Sequence, residues 1–460
     1  MIEALIEAIA AEGGVAYLVG GSALDAIRGE TPKDLDIEVH GLTIDQLTEL
    51  ASEFGNSDLV GKSFGVVKLR FGNTLVDLSL PRTEAKTGTK HNDFDVEFIT
   101  NHNIAEAARR RDFTINAIYI NLHNGEIIDP FNGVADYEAG ILRVVDPKTF
   151  VEDPLRPLRA MQIAARKCHT IDNDVVVICR SMEHMMEQLP AERVFEEFQK
   201  LLLLSKKPSS GLLFLHISGW LKHGWMKYLD SLRGCLQNPK WHPEGDVWNH
   251  TLSVVDNMAA ILYNTQNPLL VENKAALMWA ALLHDIGKPQ TWDPTTQTNN
   301  GHNEVGAEIA YGILCDLKQV QLAQQVRELV RWHMIPMQMA HNKIKKSTWV
   351  KVHAAVNLEL LATLYIADHF GRGQDISEIT SDIPYAHELV RIANEDLVEE
   401  KIAPIITGKY LIEKGWKPGK EIGQFINTAL WFQLNWNLKK RWALYALTRT
   451  ATFFGIRIVR

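Results

Sequence analysis

Ala16-Tyr17-Leu18-Val19-Gly20-Gly21-Ser22, followed by Pro32-Lys33-Asp34-Leu35-Asp36-Ile37-Glu38-Val39, decides how this chain folds. Ala16 to Val19 has the apolar character of a short buried strand, and Leu35 to Val39 that of the next one. Between them Gly20 and Gly21 permit a tight turn and close backbone approach, and Ser22 is placed to cap the helix that follows. The N-terminus of that helix, with its N–H groups and the positive end of its dipole, makes a seat for phosphate above the glycines. Asp34 and Asp36 are two apart on a strand, so both carboxylates project from one face. Side by side they repel unless a cation joins them, and a hard, oxygen-seeking ion such as Mg2+ suits the pair. A phosphate seat beside a metal pair points to nucleotidyl transfer.

Working outward, Thr43 to Phe54 has a helical period, while Val66 to Phe71 and Thr74 to Leu80 are strand-like around a Gly72-Asn73 turn. Asp77 interrupts the apolar run Leu75, Val76, Leu78 and Leu80. It either faces water, as alternate strand residues do, or joins Asp34 and Asp36 as a third carboxylate. Three carboxylates suffice for two ions, one at an attacking hydroxyl and one at a leaving pyrophosphate. Arg82 to Phe94 is polar and without periodicity, which predicts a mobile loop beside the site. Arg109-Arg110-Arg111-Asp112-Phe113-Thr114-Ile115-Asn116-Ala117 then sets guanidinium forks, which match phosphate oxygens, next to a carboxylate and an amide suited to ribose hydroxyls.

The 460 residues are too many for one core, so several domains are expected. With 48 basic against 56 acidic residues the net charge of −8 argues against indiscriminate nucleic-acid binding and leaves a local basic face open. Cys168, Cys179, Cys235 and Cys315 are scattered without a C-x-x-C pair, the usage of a cytosolic protein with free thiols. Met1 to Glu12 is an amphipathic helix rather than a signal peptide, and no apolar stretch is long enough to span a bilayer. A cytoplasmic protein with no membrane association is expected.

The Gly-Gly turn, Asp34-x-Asp36, Arg110 to Ala117, Asp129-Pro130-Phe131-Asn132-Gly133 and Glu152-Asp153-Pro154-Leu155-Arg156 come in the order of the class II tRNA nucleotidyltransferases. The chain resembles the bacterial CCA-adding enzymes, from its N-terminus through at least Arg372. That resemblance implies an α+β nucleotidyltransferase domain, a mixed sheet with helices, followed by a mostly α-helical neck and body, an HD domain and a helical tail. The expected bounds are 1–140 for the catalytic head, 141–235 for the neck and body that select the base and bind tRNA, 236–375 for the HD domain and 376–460 for the tail.

It further implies that Asp34 and Asp36 hold catalytic Mg2+ with Asp77 beside them. Gly20, Gly21, Ser22, Arg111, Asp112 and Asn116 would bind the nucleotide's triphosphate and ribose. Asp153 and Arg156 would read the edge of the incoming base, and Arg159, a turn on, is a further candidate for nucleotide binding. A carboxylate acceptor beside a guanidinium donor imitates the hydrogen-bonding edge of a nucleotide, and CTP and ATP both present an amine next to a ring acceptor. The chain departs from the family at Leu24-Asp25, where Arg then Asp is usual. Arg28, a turn later, is placed to reach back along the helix in compensation.

Beyond Pro154 the pattern is helical. Leu158, Met161, Ile163, Ala164 and Ala165 form an apolar stripe with Arg159 and Arg166 opposite, and Asp174 to Met186 is another helix. Arg193, Glu197 and Lys200 share a face of Ala191 to Lys200, either as surface pairing or as a brace beneath the nucleotide pocket.

A second site follows. His250 lies on a helix, the apolar Ala280 to Leu283 ends in His284-Asp285-Ile286-Gly287-Lys288-Pro289, and His302, His333 and Asp368 complete the order of the HD phosphohydrolases. His250, His284, Asp285 and Asp368 would hold a second divalent metal with open positions for water and phosphate. That resemblance implies metal-dependent phosphatase and 2′,3′-cyclic phosphodiesterase activity.

Thr348 to Phe370 and Ile383 to Glu400 look helical. Lys343, Lys345, Lys346 and Lys351, and Lys439-Lys440-Arg441, are candidate contacts to a tRNA backbone. Trp431, Trp436 and Trp442 are expected to pack between helices. Three other activities remain open: a poly(A) polymerase, an enzyme that adds only CC or only A, and an HD phosphohydrolase whose first domain binds RNA without chemistry.

Overall fold

The computed structural model describes residues 2–32, 34–55, 58–60, 66–71, 74–86, 94–98, 103–168, 170–263, 265–340, 346–373, 386, 404–435 and 440–453. They divide into two compact units, 1–235 with 246–264 and 313–319, and 236–245 with 265–312 and 320–460.

The first unit is built on a seven-stranded mixed sheet. Its strands are β1 (Val15–Val19), β2 (Asp34–His40), β3 (Asp58–Val60), β4 (Val66–Phe71), β5 (Thr74–Ser79), β8 (Tyr119–Asn121) and β9 (Ile127–Ile128), in the order β3-β4-β5-β2-β1-β8-β9. Only β2 and β5 pair in parallel; the other neighbours run antiparallel. Alternation along the strands sorts the side chains. Ala16, Leu18, Ile37, Val39, Val67, Leu69, Val76 and Leu78 pack into one core with Leu5 and Ile9 of α1 (Ile2–Ala11) and Leu47 and Leu50 of α3 (Ile44–Phe54). Thr43 starts α3 with a capping box to Gln46. Asp36, Glu38 and Asp77, offset by one from the core residues, take the opposite face.

Between β5 and the end of the sheet, β6 (Arg82–Lys86) and β7 (Phe94–Phe98) pair as an antiparallel ladder. This corrects the expected loop over Arg82 to Phe94: a polar segment needs no apolar alternation to form a ladder that bonds through its backbone. Residues 87–93, and the turn at Gly72-Asn73, lie outside the described residues.

Three helices continue the unit: Arg156–Lys167 packs against Ala191–Leu204 and Pro208–Ile217. The helix expected over Asp174 to Met186 is Asn173–Ser181 followed by a 3-10 turn at Glu183–Gln188. Glu197 is 2% exposed and bonds Lys200 Nζ at 2.7 Å, so it is an interior group rather than surface pairing.

In the second unit, Lys274–Leu283 is buried along almost its whole length against Val320–Trp332 and Leu358–Phe370. The stretch from Thr348 to Phe370 is two helices, Lys346–Ala355 and Leu358–Phe370, because Asn357 caps the second by accepting from Glu359 and Leu360 N–H. Gly408–Glu413, Lys420–Asn435 and Arg441–Phe453 form the tail around Ile406, Leu411, Phe425 and Leu444. Trp442 is 70% exposed, against the expectation that it packs between helices, because Leu444, two residues on, faces the tail's core instead. Ile383 to Glu400, apart from Ala386, lies outside the described residues, as do Lys343, Lys345, Trp436 and Lys439. None of the four cysteines is in a disulfide. Among the described residues no helix is long and apolar enough to cross a membrane.

Gly133 closes the turn at which the Asp129-Pro130-Phe131-Asn132 segment enters its helix, with Asp129 accepting from Gly133 N–H at 2.7 Å and Val134 N–H at 2.9 Å. A Cβ there would stand 2.1 Å from Thr114 O, and backbone has little room to move. Gly133→Ala is expected to destabilise the unit by about 2–3 kcal/mol, read as a lower denaturant midpoint; an unchanged midpoint would contradict this contact.

Candidate functional site

At the turn after β1, Gly20 has φ +63°, a conformation glycine adopts without strain. The helix begins there: α2 spans Gly20–Ile27, with Val19 as N-cap and no side-chain cap bond. Ser22 is therefore inside the helix rather than capping it. Its hydroxyl donates to Asp34 O at 3.0 Å and accepts from Asp36 N–H at 3.1 Å, so it ties α2 to the strand that carries the aspartates. Arg28 turns forward to Glu30 at 2.7 Å and does not reach back along the helix. Asp25 instead meets Lys167, whose Nζ lies 3.9 Å from its carboxylate.

The parallel register of β2 and β5 sets Asp36 opposite Asp77, with Asp34 two residues away on the same face. Asp36 is exposed, but partial desolvation of its carboxyl, with Asp77 and Asp34, pushes it up against the pull of Arg111 and the Ser22 bond. Lys68, across the β4–β5 ladder, contacts Asp77 at 3.3 Å, but both are substantially exposed. The glycine bend closes the arrangement: a Cβ on Gly20 would lie 3.8 Å from both Arg111 Nη1 and Asp36 Oδ2, and one on Gly21 would lie 3.9 Å from Lys167 Nζ. Asp36, Arg111 and Lys167 thus approach the glycine bend at a helix N-terminus, with Asp34 and Asp77 on the same strand face as Asp36, a donor set that fits a hard divalent ion and a polyphosphate.

Arg111 is aimed by Glu38, a residue to which sequence reasoning gave no role. Glu38 is 6% exposed, bonds Arg111 Nη2, pairs with His40 Nε2 at 2.9 Å and accepts from Tyr119 O–H at 3.2 Å. Burial opposes its charge, yet Arg111 and His40 hold its carboxyl at about 2. The Arg111 guanidinium also lies over the Tyr119 ring at 5.5 Å. The only sequence signal for Glu38 is its position two residues after Asp36, on the same strand face.

Asp112 is 6% exposed and fully engaged: it accepts from Asn116 Nδ2 at 2.9 Å, Phe113 N–H at 2.8 Å and Arg159 Nε at 2.6 Å. Burial works against its charge, but Arg159, Asn116 and Arg156 outweigh that and lower its pKa. Arg159 is thus not on an outward face opposite the apolar stripe; it reaches in to pair with Asp112. Arg156 donates to Thr149 O at 2.8 Å and Arg110 O at 2.7 Å and lies over the Phe150 ring. Asp153 accepts from Leu155 N–H at 2.9 Å. The structure places Asp153 and Arg156 at the start of one helix without a side-chain bond between them among the described contacts.

In the second unit, His284 caps Lys274–Leu283 and is 1% exposed; Asp285, Lys288, His302, His333 and Asp368 are all buried. His284 Nδ1 bonds Ala281 O at 2.9 Å, His302 Nδ1 bonds Asn299 O at 2.6 Å and His333 Nδ1 bonds Val330 O at 2.6 Å. Each carbonyl requires Nδ1 to carry the proton, which leaves Nε2 as a lone pair turned inward, the tautomer that ligates metal. His284 and Asp368 bring ligand atoms within 4.8 Å of each other. Burial, then His302, lowers the His333 pKa to about 3. His250, the remaining expected ligand, is wholly buried on the helix Val247–Tyr263, which belongs to the first unit.

Residues 16–143 match the poly A polymerase head domain, 169–224 match the segment described as "Probable RNA and SrmB- binding site of polymerase A", and 247–373 match the HD domain. Among solved structures, the Bacillus stearothermophilus CCA-adding enzyme in complex with CTP aligns over 98% of this chain and 97% of its own, at 19% identity and TM-score 0.59. The Thermotoga maritima CCA-adding enzyme complexed with tRNA aligns over 98% and 94%, at 19% identity and TM-score 0.53. A CCA-adding enzyme with ATP covers the same shares at TM-score 0.56 and 19% identity. At these identities the likeness is one of fold.

Because the Asp36 carboxyl is raised in the folded chain, its contribution to stability is full at low pH and is lost as pH rises through the raised value. In EDTA at neutral pH, Asp36→Asn should therefore melt above the parent, with the difference shrinking toward pH 4. A lower melting point for the variant at neutral pH would contradict the crowding of carboxylates. Arg159→Met leaves Asp112 buried without its strongest partner and should cost about 3 kcal/mol of stability; a change within error in urea denaturation would contradict that pairing.

Proposed function

For a chain with the domain set of the class II tRNA nucleotidyltransferases, a poly A polymerase head followed by an HD domain on the fold of the CCA-adding enzymes, we propose template-independent addition of CCA to tRNA 3′ ends from CTP and ATP. The observation that carries this reading is the side-by-side placement of Asp36 and Asp77, with Asp34, against a glycine bend that Arg111 and Lys167 approach. Asp34, Asp36 and Asp77 are the groups to hold Mg2+. Bound there, a divalent ion supplies charge neutralisation for the triphosphate and acidifies the attacking hydroxyl.

The chain's own groups do the rest. The N–H groups at Gly20 and Gly21, with Arg111 and Lys167, receive the triphosphate, and Glu38 keeps the Arg111 fork from rotating away. Asp112, Asn116 and Arg159 brace the floor from which Asn116 reaches the ribose. Asp153 and Arg156 read the base; Arg156 is then released from its carbonyl partners to present its donors. The tRNA 3′-oxygen forms the new bond to the α-phosphorus, the bond to the β-phosphate bridging oxygen breaks, pyrophosphate leaves and the hydroxyl proton passes to solvent.

The HD domain is proposed to hold a second divalent metal through His284, Asp285 and Asp368, and to hydrolyse phosphoesters such as a 2′,3′-cyclic end. The inward Nε2 of His284 and the buried carboxylates support this. Such a site would clear damaged termini before nucleotides are added. The reading places the protein in the cytoplasm with tRNA, CTP and ATP as its partners.

Incubation with tRNA lacking its 3′ end tests the reading by product length. CTP alone should extend the tRNA by two nucleotides, and CTP with ATP by three, while Asp34→Ala/Asp36→Ala abolishes both and retains phosphatase activity. Long homopolymer products with ATP alone would assign a poly(A) polymerase, and incorporation unchanged in the double variant would overturn the mechanism.

A further inference from the structure

Helix α2 brings no positive side chain to the bend it starts. Across Gly20–Ile27 its one charged residue is Asp25, Leu24 is wholly buried, and Arg28, just past its end, pairs with Glu30 at 2.7 Å. The cation beside Gly21 comes instead from the last residue of the helix Arg156–Lys167. A Cβ on Gly21 would meet Lys167 Nζ at 3.9 Å and nothing else within 4 Å, whereas one on Gly20 would meet Arg111 and Asp36. Two successive residues, with Cα atoms about 3.8 Å apart, therefore face different partners: Gly20 the Asp36 carboxylate and Arg111, Gly21 the Lys167 ammonium.

Lys167 is weakly partnered in the protein alone. Its side chain is 19% exposed, yet among the described residues its ammonium makes no hydrogen bond and has one ionic partner, the Asp25 carboxylate at 3.9 Å. That distance is beyond hydrogen-bond reach. Burial lowers the pKa of Lys167, Asp25 draws it back up, and Arg166 and Arg28 lower it again. Asp25, whose side chain is 36% exposed, is thus a loose counter-ion. It is near enough to keep the ammonium at the bend and too far to hold it against a stronger anion. A polyphosphate is that anion, since each phosphate offers several charged oxygens to one ammonium.

We infer that Lys167 grips the departing end of the nucleoside triphosphate, its β- and γ-phosphates, with Asp25 as the counter-ion it leaves when the nucleotide arrives. This rests on the reading of Asp34, Asp36 and Asp77 as a site of nucleotidyl transfer, and it names the part of the substrate that Lys167 takes. The α-phosphate, which the 3′-oxygen attacks, belongs beside Asp36 at Gly20; the remaining phosphates run past Gly21 toward Lys167. As the bond from the α-phosphorus to its bridging oxygen breaks, the electron pair stays on pyrophosphate, and the ammonium meets the charge that develops there.

Equilibrium binding to the full chain in Mg2+ tests this with three ligands: CTP, CMP and inorganic pyrophosphate. Lys167→Met should weaken CTP and pyrophosphate by roughly tenfold or more, and Lys167→Arg should keep most of that affinity. CMP, which lacks both outer phosphates, should bind Lys167→Met as it binds the parent. Asp25→Asn separates a phosphate ligand from a mere ion pair: without its counter-ion, Lys167 should bind pyrophosphate at least as tightly as in the parent. Equal weakening in Asp25→Asn and Lys167→Met would make the pair structural and overturn the assignment, as would a loss of CMP affinity equal to that of CTP. CTP affinity unchanged in Lys167→Met would overturn it and leave the nucleotidyltransferase reading standing. A parent chain that binds neither CTP nor pyrophosphate would remove both together.

Discussion

Asp36 and Asp77 stand opposite each other on adjacent parallel strands, and that forced closeness of two negative charges organises the first unit. Strand alternation gives it no way out: Ile37 and Leu78 fill the core face, so Asp36 and Asp77 must share the other. Asp36 is exposed, yet partial desolvation and the neighbouring carboxylates raise its pKa in the protein alone. The surrounding structure is arranged to receive positive charge there. Arg111 is pinned by Glu38 over the Tyr119 ring, and Lys167 comes in from another helix to the glycine bend. Ser22 locks the bend to the strand, so the glycines and the aspartates keep a fixed relation.

The second unit solves a similar problem with histidine. Carbonyl acceptors on two helices and in the loop at Asn299 fix the ring orientation of His284, His302 and His333 so that Nε2 lone pairs converge on Asp285. A polar cluster this deeply buried is tolerable when its members satisfy one another or share a cation.

The parts legible in the sequence were those with local signatures. Asp34-x-Asp36 on an apolar strand, Gly20-Gly21 at its neighbour's end and His284-Asp285 closing an apolar helix each announce themselves within a few residues. What escaped depended on distant partners. Glu38 acquires meaning only when Arg111, 73 positions later, lies beside it. Lys167 meets Asp25, 142 positions earlier, in a contact that spacing does not reveal. Arg159 shares a helix face pattern with Arg166 but is drawn inward by Asp112. The β6–β7 ladder is polar and bonds through its backbone, so no apolar period marked it. His302 and His333 were legible from their order in the chain, but the 3.2 Å contact between their Nε2 atoms was not.

The central claim is that the Asp34, Asp36 and Asp77 carboxylates gather a divalent ion against a nucleoside triphosphate. Its most direct measurement is the affinity of Mn2+ for the full chain with and without CTP, in a background where His284→Ala removes one of the ligands proposed for the HD domain. The account predicts a site that tightens when CTP is present and weakens at least tenfold on Asp77→Asn as well as on Asp36→Asn. Mn2+ affinity indifferent to CTP, or unchanged when either aspartate is replaced, would contradict it.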